Sequence, residues 1–179
     1  MRCIRSAWAW GAVATVLATA PAAAVQVCDN GPARSSPTQA FDDHADGTVT
    51  HRARQLMWMR CSVGQTLDGG SCRGSAQRLD WAAAQAAAAE LNASGRLFFK
   101  DWRVPQLGEL ASITERHCRN PRVNSAVFPN TATDYYWTVT PRAAVKPETS
   151  AYGLNFGEDG VADFVKSEAL HVRLVRTAP

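Results

Sequence analysis

Hydrophobic spacing along the chain predicts strands first, then helices, then strands again. Thr48-Val49-Thr50 is a β-branched run opened by the turn pair Asp46-Gly47, and Gln55-Leu56-Met57-Trp58-Met59-Arg60 is a second run with apolar alternation. With polar residues 51–54 between them, the two read as a hairpin. Residues 80–92 carry the clearest helical signal. Trp81, Ala84, Ala88 and Leu91 share one face, Asp80 stands at the N-cap, and Gly95 lies just past the end. Residues 98–104 read as an aromatic strand or extended loop. A shorter helix is expected from Pro105 to about Thr114, with Leu107, Leu110 and Ile113 inward and Glu109 outward.

The last third reads as four strands, over residues 135–140, 151–156, 161–165 and 170–176. Gly157-Glu158-Asp159-Gly160 turns between the second and third, and residues 140–150 form a Pro-containing loop. Along residues 171–176 apolar and basic residues alternate. Leu56, Trp58, Val172 and Leu174 therefore read as the buried face of two adjacent strands that close the chain on itself. Two strands, two helices and about four strands make an α+β pattern.

The N-terminus changes the picture of where the protein works. Residues 1–5 carry Arg2 and Arg5, residues 6–20 are apolar, Pro21 breaks the run, and Ala22-Ala23-Ala24 supplies small residues. This is a secretory signal pattern, with cleavage expected before Val25. The apolar stretch is short for an uncleaved anchor, and Val27 stands where a lipoprotein signal wants a small residue before Cys28. The expected organisation is a signal peptide over 1–24, an extended arm over 25–40 rich in Pro, Ser, Gly and Arg, and a domain over 41–179. No later stretch is apolar enough to span a bilayer. The expected location is the periplasm or the exterior.

The 179 residues are 46% apolar and 20% charged with a net charge of +3, and the charge without residues 1–24 is +1. That balance describes a foldable globular chain and argues against a disordered tail or a nucleic-acid-binding domain. Cys28, Cys61, Cys72 and Cys118 remain after the signal, an even count that reads as two disulfides in an exported chain. Three connectivities are open. The Gly-rich turn at Gly64, Gly69 and Gly70 favours Cys61 with Cys72, which leaves Cys28 with Cys118. Paired metal-ligand spacings are missing, so no metal or cofactor is expected.

Several segments in order carry a family resemblance: Asp46-Gly47-Thr48-Val49-Thr50, Leu56-Met57-Trp58-Met59-Arg60-Cys61, Gly64-Gln65-Thr66 through Cys72-Arg73-Gly74, Asp101-Trp102-Arg103-Val104-Pro105 with Glu109-Leu110, Phe128-Pro129-Asn130, Tyr136-Trp137-Thr138 and Val172-Arg173-Leu174-Val175-Arg176. Over roughly residues 41–176 the chain resembles the Lcl C-terminal domain family, named for a bacterial collagen-like adhesin. The resemblance implies a C-type-lectin-like fold related to the sulfatase-modifying enzymes. Two helices would pack on a small antiparallel sheet with N- and C-terminal strands paired. This chain has no collagen-like repeat.

The candidate chemistry is sparse. Trp58, Trp81, Trp102 and Trp137 are expected in the core, with Asp101 and Arg103 satisfying loop backbone groups. Asp42, Asp43, His44 and Asp46 lack an EF-hand pattern and read as a solvated acidic loop. The calcium-dependent sugar motifs of C-type lectins are absent; Lys146-Pro147-Glu148 is the nearest string. No cysteine follows Cys118, so formylglycine-generating chemistry is unavailable, and Glu158 and Asp159 read as turn residues. The sequon Asn92-Ala93-Ser94 falls at a helix end. Arg116, Arg119 and Arg122 concentrate positive charge in an irregular segment tied at Cys118, a pattern suited to carboxylate or sulfate groups. Tyr135 is the member of the Tyr135-Tyr136 pair expected to face outward. The expected function is a non-enzymatic binding module for an anionic glycan or an envelope protein. The resemblance to an adhesin of sulfated glycans points the same way. The alternative is a structural or assembly component of a surface appendage, with a hydrolase a distant third.

Overall fold

The computed structural model describes residues 26–29, 31, 33–142, 148–157 and 160–179. The expected signal segment, the Glu158-Asp159 pair and the Lys146-Pro147 part of the lectin-like string lie outside them.

The turn at Asp46-Gly47 forms because the Asp46 carboxylate accepts from the Thr48 amide at 2.9 Å and its hydroxyl at 2.6 Å, while Gly47 takes φ +92°. It joins β2 (Phe41–Asp43) to β3 (Thr48–His51), and a 3₁₀ turn (Arg52–Arg54) leads on to β4 (Leu56–Met59). A far strand, β13 (Val175–Thr177), completes a four-stranded antiparallel sheet in the order β13-β4-β3-β2. Val49, Trp58 and Val175 stand opposite one another across three strands and are all buried on one face. Met57 points the other way. Both faces of this sheet are therefore covered, each by its own hydrophobic cluster. The expected hairpin and the expected closure by the C-terminal strand are both present. The closure runs through β4, while the outermost N-terminal strand, β1 (Val27–Cys28), pairs with β8 (Cys118–Arg119).

The second sheet has the order β11-β10-β9-β12-β7, from β7 (Arg78–Leu79), β9 (Tyr135–Pro141), β10 (Ser150–Asn155), β11 (Val161–Val165) and β12 (Leu170–His171). A separate hairpin, β5 (Thr66–Asp68) and β6 (Ser71–Arg73), turns at Gly69 and Gly70 and carries the Cys61–Cys72 disulfide. The expectation of one small antiparallel sheet needs correction. Among the described residues there are two main sheets and two two-stranded ladders, and β12 runs parallel to β9.

The helices divide between the two clusters. Asp80 caps α1 (Trp81–Ala93) by accepting from the Ala83 amide at 2.7 Å, and Ala84, Ala88 and Leu91 are buried beside Met57, Trp102 and Trp137. Trp81 is only half-buried; its indole N–H donates to the Thr138 carbonyl at 3.1 Å. In α2 (Leu107–Ser112), Leu110 enters the other cluster with Trp58 and Phe128. Glu109 does not face outward. It accepts from the Gln106 amide at 2.8 Å and pairs with both terminal nitrogens of Arg103 at 2.7 Å. Asp101 likewise pairs with Arg176 at 2.6 Å, so these two charges serve side chains rather than loop backbone. Asn92, from the sequon, clamps the Trp102 backbone through two hydrogen bonds of 2.9 Å.

The expected strand over residues 170–176 breaks into two. The chain leaves the second sheet after β12 and joins the first at β13, and Val172-Arg173-Leu174 bridges them. On the way the Val172 and Leu174 carbonyls accept from the Val63 and Met59 amides at 2.9 and 3.0 Å. Because the run changes partners midway, its alternation does not separate inside from outside. Arg173 is fully buried and Arg176 nearly so. The Arg173 guanidinium donates to the carbonyls of Met59 and Arg60 and to the Thr131 hydroxyl, and it lies 4.9 Å from the Phe128 ring centroid. Burial pulls its pKa below the ordinary arginine value, and the nearby Tyr136 opposes that shift. Arg176 stacks on Phe99 at 3.7 Å.

Candidate functional site

The segment after α2 owes its shape to a closed backbone loop. The Glu115 amide donates to the Arg122 carbonyl at 3.0 Å, and Thr114 and Val123 bridge below it. Asn120 adopts φ +53°, the Asn120–Pro121 bond is cis, and Pro121 is buried. The Asn120 and Arg122 amides donate to the carbonyls of Gly157 and Phe156, which ties the loop to the end of the second sheet.

The N-terminal arm lies along this loop. The Cys28–Cys118 disulfide is formed, β1 pairs with β8 across it, and Asp29 donates its amide to the His117 carbonyl at 2.8 Å. Gln26 donates to the Pro121 and Val123 carbonyls at 2.7 and 2.6 Å. Glu115 is fully buried, and its two oxygens take the Ser35 and Ser36 amides at 3.0 Å. Burial pushes its pKa up, but hydrogen bonds from Ser36, Ser35 and His117 outweigh that and hold it below the usual carboxylate value.

Two independent clamps give a graded expectation. Cys118→Ser should expose residues 26–34 to protease while residues 35–38 stay protected by Glu115. In the double variant with Glu115→Ala the whole arm should be cut. The depressed Glu115 pKa means that its contribution is present above the unfolded-state pKa and is lost as pH falls through the folded-state value, so acid should loosen the arm of Cys118→Ser further. Limited proteolysis with mass mapping reads this directly. Equal cutting across the arm in Cys118→Ser would show that Glu115 holds nothing.

Loop and arm together enclose a hollow of about 400 Å³, lined by Arg116, Arg119, Arg122, His117, Asn120, Gly157 and Asp29 among others. Arg116 and Arg119 are exposed and Arg122 is half-buried. Arg119 lies 3.7 Å from the Asp29 carboxylate in a solvent-exposed pair, an arrangement of small energetic weight. The fold thus gathers around one hollow three arginines that the sequence spreads over seven positions. It does not bring Tyr135 there. That side chain is half-buried, packed edge-on against Phe164 at 4.7 Å, while Tyr136 is fully buried. Sequence reading missed Asp29, although a Cys28–Cys118 pairing carries residue 29 to this loop. Gly157 opens the turn expected between neighbouring strands near this surface, and it does line the hollow.

Among the described residues, no group of three or more His, Cys, Asp or Glu side chains is placed to hold a metal ion, and no helix is long and apolar enough to cross a membrane. The Lcl C-terminal domain model matches residues 47–176, most of the chain. The chain belongs to the Lcl C-terminal domain family. Membership suggests an adhesin-like surface module, and the family is non-catalytic in character. The match starts after the arm, so Asp29 lines the hollow from outside the matched region. No curated protein matches the chain. Two disulfides suit an oxidising, extracytoplasmic setting.

Proposed function

We propose that this Lcl C-terminal domain is an exported, non-enzymatic binding module that takes an anionic group of a glycan in the Arg116–Arg119–Arg122 hollow. The gathering of three guanidinium-bearing residues around one hollow carries the reading. Guanidinium groups bind sulfate and carboxylate through paired hydrogen bonds, and a loop pinned by a disulfide presents them with little ordering cost. Removal of residues 1–24 would deliver the module to the periplasm or beyond. The closure of the chain through β4 and β13 and the two helices support a C-type-lectin-like arrangement.

The test is binding to immobilised heparin and to its desulfated form. Arg116→Ser, Arg119→Ser and Arg122→Ser combined should weaken heparin binding at low salt by about 100-fold or more, with the melting temperature close to wild type. The difference should shrink as salt rises, because the wild-type attraction is then screened. Undiminished binding by the triple variant would place the site elsewhere. A wild type that ignores both polysaccharides at low salt would favour the appendage-component reading.

A further inference from the structure

The loop between α1 and Trp102 holds a large apolar side chain out in water. Phe98 is 91% exposed, whereas the other exposed large hydrophobics, Val27, Val161 and Val165, are near half-exposed. Its base is fixed. Phe99 packs edge-on against it at 5.3 Å and is itself covered by the Arg176 guanidinium, and the Asn92 clamp holds the next turn of chain. Arg96 and Lys100 are exposed on either side. Behind the loop, Leu97, Leu91, Leu67 and Met59 line a groove of about 250 Å³ with Arg96 and Asp46 among its polar groups.

The nearby acids do not cancel these cations evenly. Asp101 is taken by Arg176 at 2.6 Å, and one oxygen of Asp46 is taken by Thr48. Asp68, which follows the groove-lining Leu67, lies 3.8 Å from Arg73, and Glu90 is exposed near the end of α1.

We propose that residues 96–100 form a peripheral contact with an anionic lipid bilayer. Phe98 and Leu97 enter the boundary between headgroups and acyl chains, and Arg96 and Lys100 meet the headgroup phosphates. An aromatic tip flanked by cations has the chemistry of an interfacial anchor. Protein interfaces, by contrast, are depleted of lysine and bury their aromatics within a wider patch. One aromatic and two cations give weak, reversible attachment, below what a single acyl chain provides. Such a contact would keep an exported module near an envelope surface without a spanning segment. It stands apart from the glycan reading, because none of these residues lines the arginine hollow.

Co-sedimentation with vesicles of phosphatidylglycerol and phosphatidylcholine, against vesicles of phosphatidylcholine alone, tests it. Wild type should partition to the anionic vesicles and lose that partitioning as salt rises. F98S should reduce it about tenfold, and R96S with K100S by a similar factor of about ten. Melting temperatures should not change, since all three side chains are exposed. The variant lacking Arg116, Arg119 and Arg122 should keep the Phe98-dependent part, which separates this contact from attraction through the hollow. Equal partitioning of F98S and wild type would overturn the proposal, as would wild type that ignores anionic vesicles. A dimer abolished by F98S, without vesicle binding, would assign the loop to self-association instead.

Discussion

Arg173→Ala should remove about 3–5 kcal/mol of the domain's stability, a large part of what a domain of this size holds. The side chain is fully buried between the two sheets. Its loss would strand the Met59 and Arg60 carbonyls and the Thr131 hydroxyl and leave a void beside Phe128 and Tyr136. Arg173→Met separates the two effects by keeping most of the volume while removing the donors. It should recover only a minor share, because the buried carbonyls remain unpaired. Arg173→Lys keeps a charge but cannot reproduce the planar fork, and should also fall well short. Urea unfolding of the three variants gives the comparison. A methionine variant as stable as wild type would mean that Arg173 contributes packing alone.

Ending the chain after His171 should abolish cooperative unfolding altogether. The lost residues include β13, whose Val175 covers Trp58 and whose backbone bonds Arg103 in both directions at 2.9 Å. They also include the carbonyls that hold Met59 and Val63 in register, along with Arg173 and Arg176. One face of Trp58 and the inner edge of the 101–104 segment would meet water together. Near-ultraviolet circular dichroism should be lost, with no thermal transition. A sharp transition retained by the truncated chain would show that the first sheet stands without its closing strand.

Local signals in the sequence survived wherever they rest on local physics. Asp80 caps α1, Asp46-Gly47 turns as its side chain dictates, and Gly69-Gly70 turns the disulfide hairpin. Both cysteine pairings stand in the structure. What was illegible depends on partners remote in sequence. Arg173 alternates with valine and leucine like a solvent-facing residue. It is buried because Met59, Arg60 and Thr131, more than forty positions away, bring oxygen atoms to it. Glu109 reads as outward-facing from helical spacing alone, and it turns inward because Arg103 folds back onto α2. β2 was hidden because two of its three residues are aspartates on the exposed edge of the sheet.

The same contrast separates scaffold from site. The segments that carry the family resemblance contain Trp58, Arg60, Trp102, Tyr136 and Arg173, all buried or nearly so. Arg60 pins the 126–127 loop through two carbonyls at 3.0 Å and pairs with Asp43 at 2.9 Å. These residues specify how two sheets and two helices come together. Arg116, Arg119 and Arg122 stand outside those segments, on a loop whose shape comes from Cys118, Glu115 and the arm. The resemblance therefore accounts for the framework. The hollow is bordered in part by Asp29, which precedes the matched region.

The most direct measurement is a titration of isotopically labelled protein with a sulfated heparin disaccharide, followed by backbone amide and arginine side-chain resonances. Binding in the hollow predicts saturable shifts concentrated at residues 116–122, Asp29 and Gly157, with the Arg173 signals unmoved. Saturable shifts confined to other parts of the surface, with residues 116–122 unchanged, would contradict it.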